Sequence, residues 1–139
     1  MKDKLFMNIK NALRNENDYE SIKSDINRIT SGNSLTVSSI NEVNNMFCNM
    51  KECVYKKYNL KSYIKFDYDS LSNDILFGNY SNIVLCLNIC KMHTYGVVEH
   101  IIGSIQSNFD KNKNFMVNIS FDEELYDNRV NFSLIVYND

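Results

Sequence analysis

The sequence predicts an α+β domain in which a mixed four-stranded sheet has helices packed against it. Short segments of apolar residues at period two alternate along the chain with longer stretches of three- and four-residue spacing, and one further segment is apolar on both faces. With 139 residues, 44% hydrophobic and 12% aromatic, the chain suffices for one domain with a real core and is too short for two ordinary ones. No linker or repeat interrupts it, so residues 1 to 139 read as a single domain, with a strand and helix leading in over 1–31 and the sheet domain over 32–139.

Lys4 to Met7 reads as a short leading strand. Asn17-Asp18-Tyr19-Glu20 has capping-box spacing, and Tyr19, Ile22, Ile26 and Ile29 then recur at helical intervals until Gly32 supplies a stop. Ser39-Ile40-Asn41-Glu42 is a second capping box, and Ile40, Val43, Phe47, Met50 and Val54 continue on one face, predicting a helix to about Tyr58. Ser62 to Tyr68 alternates like a half-buried strand, and Asp69 to Tyr80 is a polar connection. Ile83 to Cys90 is apolar on both faces, as expected of a central strand covered on each side. Thr94 can cap a helix presenting Val98, Ile101, Ile102 and Ile105. Phe115 to Phe121 and Val130 to Val136 alternate as two strands joined by the acidic turn Asp122 to Asp127.

A formal net charge of −2, with scattered lysines, gives no electrostatic footprint for nucleic acid. The longest apolar run, Ile83 to Leu87, is far short of the roughly 20 residues that span a bilayer, and the N-terminal residues carry no secretory pattern. The expectation is a soluble cytoplasmic protein with neither nucleic acid nor membrane as partner. Cys48, Cys53, Cys86 and Cys90 fall inside apolar periodic segments, predicting small, buried, reduced thiols. Cys86, Cys90, His93 and His100 form the one grouping that raises a metal reading, but no zinc-type CxxC pair is present and no metal is expected. The aromatic residues at strand spacing read as core, and the acidic turn as a solvated loop.

In this order the elements resemble the C-terminal half of the FtsZ/tubulin family of polymerising GTPases. Ser34 to Val43 (SLTVSSINEV) occupies the place of the family's loop GLINLDFADV, and Asn44 to Met50 continues the following helix. Asp69 to Cys90 is similar to the segment SSPLL…DLSGARGVLVNITG, Thr94 to Ile105 to the helix LTLFEVNEAAEII, and Asp3-Lys4-Leu5 to NDKLL. The strongest likeness is Phe115 to Tyr137 (FMVNISFDEELYDNRVNFSLIVY), which resembles ANIIFGTVIDDELGDEIRVTVIATG. The family's usual helix between the strand at 62–68 and the SPLL-like segment is reduced here to a short connection, which would leave part of the sheet or helix layer exposed to a partner.

The family's nucleotide-binding half, with its GGGTGTG loop, has no counterpart in these residues, and Gly32, Gly78, Gly96 and Gly103 are isolated. The resemblance therefore implies no bound GTP, no cofactor and no catalysis by this chain alone. In the family, two loop aspartates orient the water that attacks the neighbouring subunit's γ-phosphate. By register they fall on Ser39 and Glu42, and the preceding asparagine falls on Val37, so a single carboxylate remains. Glu42 is a weak catalytic candidate, because the N3 position of the Ser39 capping box accounts for it more simply.

The resemblance further implies an interface of Leu35, Val37, Ser39, Glu42 and Asn45, directed at a tubulin/FtsZ-like GTPase or at the chain's own N-terminal half supplied separately. Three functions follow from it: a non-catalytic domain that regulates or caps filament assembly, the C-terminal half of a divided or longer GTPase of cell division or DNA segregation, and a self-associating structural module. An exposed strand edge would favour a homo-oligomer in the last case.

Overall fold

The computed structural model describes residues 2–30, 40–73 and 80–139. Four α-helices, α1 (Lys2–Ala12), α2 (Tyr19–Ile29), α3 (Ile40–Phe47) and α4 (Tyr95–Gln106), accompany four strands, β1 (Lys51–Leu60), β2 (Asn82–Ile89), β3 (Asn114–Phe121) and β4 (Val130–Asn138). The sheet runs β1-β4-β2-β3. β4 is antiparallel to both β1 and β2, whereas β2 and β3, joined by α4, are parallel. The sheet is thus the mixed four-stranded sheet expected from sequence, with helices on both faces.

β2 explains the two-sided packing. All eight of its residues are buried. Ile83, Leu85, Leu87 and Ile89 point into one core with Phe132 and Leu134 of β4 and Val98, Ile101 and Ile105 of α4. Val84 and Cys86 point into the other with Ile135 and Tyr137 of β4, Leu5 and Ile9 of α1, Ile22 and Ile26 of α2, and Val43 and Phe47 of α3. Burying one such side chain contributes roughly 1.5–3 kcal/mol, so two filled faces account for most of the cohesion of so small a sheet. α4 forms as its sequence predicts: Thr94 is extended, and its Oγ1 accepts from the Val97 amide at 3.3 Å.

Three expectations need correction. The leading strand at Lys4 to Met7 is part of helix α1, because Leu5, Ile9 and Leu13, spaced by four, together with Phe6, make a helical stripe against the sheet. The second helix stops at Phe47 instead of reaching Tyr58, and residues 51–60 form strand β1. There Cys53 and Tyr55 enter one core and Val54 and Leu60 the other, while Tyr58 lies opposite Phe132 with the rings stacked at 4.7 Å. Pairing along β4 thus outweighs the local helical spacing. Ser62 to Tyr68, expected as a strand, is a turn leading into a 3-10 helix over Tyr68–Asn73, with Ile64 exposed and Tyr68 buried. The Tyr68 hydroxyl donates to the Tyr63 carbonyl at 2.8 Å and closes that turn.

The start of α2 also differs. Asn15, not Asn17, supplies the side-chain cap, accepting from the Asn17 amide at 3.1 Å to open a 3-10 turn over Glu16–Asp18. The predicted stop at Gly32 lies outside the described residues. At the last described turn, Thr30 donates both its amide and its hydroxyl to the Ile26 carbonyl. Among the described residues no helix is long and apolar enough to cross a membrane.

Candidate functional site

Of the segment likened on sequence to the family's loop, only the part that enters α3 is described. Leu35, Val37 and Ser39 lie outside the described residues. Glu42 and Asn45 are described, and their three-residue spacing puts both on the exposed side of α3, while Val43 and Phe47 are fully buried on the other. The helix is pinned to the sheet from its inner side. The Tyr137 hydroxyl donates to the Met46 carbonyl at 2.8 Å, and the Phe47 and Tyr137 rings meet edge-on at 5.4 Å. Burial, with a smaller contribution from the Asp139 carboxylate, pushes the Tyr137 phenol up to about 12.

A second anchor holds α2, the helix that leads into this segment. Asp25 is a buried carboxylate that accepts from the Tyr55 hydroxyl of β1 and the Ser133 hydroxyl of β4, each at 2.7 Å, with the Arg28 guanidinium 3.9 Å from its other oxygen. Burial and the Asp25 charge push the Tyr55 phenol well above its ordinary range. Sequence reasoning missed this anchor, although it carried a signal: Asp25 interrupts the Ile22, Ile26, Ile29 stripe of an otherwise apolar helix face. These bonds fix α2 against β1 and β4.

The thiols divide differently from expectation. Cys53 and Cys86 are buried, Cys90 is half-buried and Cys48 is exposed, because Cys48 falls in the turn after α3 and not on its inner face. Burial pushes Cys53 up to about 12 and Cys86 well above the thiol range, so both stay protonated and unreactive. Cys86 lies in β2, His93 in the loop beyond it and His100 on the exposed side of α4. Among the described residues no three His, Cys, Asp or Glu side chains gather into a metal-ligand set. Beyond the C-terminal end of α3 lies an open groove of about 830 Å³, lined by Asn8, Arg14, Cys48, Asn49, Lys51 and Glu52 among others. Its mixed charges define no ligand class.

The sheet order, its mixed pairing and the helices on both faces define an α+β domain. Among solved structures, the chain is similar to an empty FtsZ dimer from M. jannaschii, with a TM-score of 0.65, 11% identity, and coverage of 88% of this chain and 37% of that one. It is likewise similar to a mutant FtsZ from M. jannaschii, with a TM-score of 0.61, 11% identity, and coverage of 88% and 40%. The chain thus has the fold of about two fifths of FtsZ, consistent with a C-terminal-half-like domain. No protein-family model matches the sequence, and no curated protein matches it.

Proposed function

We propose that this domain is non-catalytic and binds a polymerising FtsZ/tubulin-like GTPase, regulating or capping its assembly in the cytoplasm. The observation that carries this reading is the partial match: 88% of the chain has the FtsZ fold while spanning only 37% of the FtsZ chain. The phosphate-cradling glycine loop has no counterpart in the sequence, so binding can proceed without turnover by this domain. In the family the loop end of one subunit meets the nucleotide end of the next. A module with the loop end alone occupies one filament end and blocks addition there. Leu35, Val37, Ser39, Glu42 and Asn45 form the contact, with Glu42 and Asn45 presented on the outer side of α3.

The test is polymer light scattering and GTP turnover of an FtsZ-type GTPase from the same source, titrated with this chain. Substoichiometric loss of polymer supports capping, and an unchanged signal at several-fold excess overturns it. A second reading rests on Glu42, which is exposed in the first turn of α3 and which the sequence resemblance aligns with the family's second aspartate. On that reading the chain is the C-terminal half of a divided or longer GTPase. Turnover that appears on mixing with a nucleotide-binding half, and disappears with Glu42→Gln, would replace the first reading with the second.

A further inference from the structure

We infer that the end of the sheet formed by the loops 61–67, 90–94 and 122–129 is a self-association surface on which a second copy of this chain docks about a two-fold axis. The register brings these loops together. Leu60 lies opposite Val130, Asn88 opposite Asn131 and Ile89 beside Phe121, so all three connections leave the same end of the sheet. They are then stitched to one another. The Tyr63 amide donates to the Asn128 carbonyl at 2.9 Å, His93 Nε2 donates to the Asp127 carbonyl at 2.8 Å, and the Tyr63 and His93 rings meet edge-on at 5.5 Å. Asp127 holds a φ of 55°, an uncommon conformation for a residue with a side chain, which these bonds keep in place.

Each loop carries one exposed large apolar side chain next in sequence to the stitch. Ile64 is 63% exposed, Met92 88% and Tyr126 55%. Only six large apolar residues are exposed among those described, and three of them border this one point. Scattered exposure needs no explanation, but three exposed apolar side chains flanking one hydrogen-bonded, polar-rimmed junction have the composition of an interface. The rim identifies the occupant. The 61–67 and 90–94 loops expose Lys61, Lys65 and Lys91 against one carboxylate, Asp67, and the 122–129 loop exposes Glu123, Glu124 and Asp127 against one cation, Arg129, whose guanidinium lies 4.8 Å over the Tyr126 ring. A surface basic on one side and acidic on the other is complementary to itself: under a two-fold operator each chain's lysine loops face its partner's acidic loop, twice per dimer. This inference uses no residue of α3 and stands apart from the capping reading.

The experiment is sedimentation velocity of the full chain over a range of concentrations. The expected result is a monomer–dimer equilibrium that Met92→Glu weakens at least about tenfold, while the thermal midpoint read at a concentration where both chains are monomeric is unchanged. A Lys65→Glu/Lys91→Glu chain and a Glu123→Lys/Glu124→Lys chain are each expected to be monomeric alone and to pair when mixed. A monomer at every concentration, or a dimer indifferent to Met92→Glu and to both charge reversals, overturns the inference. Because the chain is measured without any GTPase, neither result touches the capping reading.

Discussion

Asp25 governs how α2 sits on the sheet, since one carboxylate oxygen gathers the hydroxyls of Tyr55 and Ser133 from two strands. Asp25→Ala would leave both hydroxyls buried without their acceptor and should destabilise the domain by about 2–4 kcal/mol, read as a lower urea midpoint. At alkaline pH the buried phenols and thiols set the response. Cys53, Tyr68 and Tyr137 are each held at about 12 in the folded chain, chiefly by burial, against ordinary values of 9.0 for the thiol and 10.0 for the phenols. The unfolded chain therefore loses these protons first. Their contribution to stability is complete below about pH 9 and is lost as pH rises from there towards 12, so the thermal midpoint should fall across that window and hold steady below it. The thiols also report on packing: in the folded chain Cys48 should react with a thiol reagent at once, Cys90 slowly, and Cys53 and Cys86 only on unfolding.

At the scale of elements, legibility followed the uniqueness of the local pattern. Ile83 to Cys90 and Thr94 to Ile105 were readable because no alternative period fits them, and β3 and β4 because four clean apolar alternations survive in each. β1 was not. Phe47, Met50 and Val54 continue a helical spacing, and only pairing with β4, from Leu60 opposite Val130 to Lys51 opposite Asn138, turns 51–60 into a strand. The same ambiguity hid α1, whose stripe of Leu5 and Ile9, continued by Leu13 just past the helix, is helical only when read beyond the four residues that resemble a strand. The inward face of α3 was legible in Val43 and Phe47, whereas the Asp25 anchor was overlooked because its partners come from two distant strands. Since α4 packs Val98, Ile101 and Ile105 onto one face of the sheet, Ile101→Ala should cost about 2–5 kcal/mol, whereas Asn45→Ala on the exposed side of α3 should stay within about 0.5 kcal/mol. Urea denaturation of the two variants side by side checks both values.

For the whole molecule, a sheet filled on both faces has an FtsZ-like fold over about two fifths of the FtsZ chain, and Glu42 and Asn45, two residues of the proposed contact, lie on the exposed side of α3. Capping should therefore be separable from folding. A Glu42→Ala/Asn45→Ala chain is expected to keep its thermal midpoint within a few degrees while losing most of its effect on polymer, because neither side chain contributes to a core. The most direct measurement is light scattering of an FtsZ-type GTPase from the same source, assembled with GTP and titrated with this chain. Polymer should fall at chain concentrations well below that of the GTPase, and polymer unchanged at several-fold excess would contradict the account.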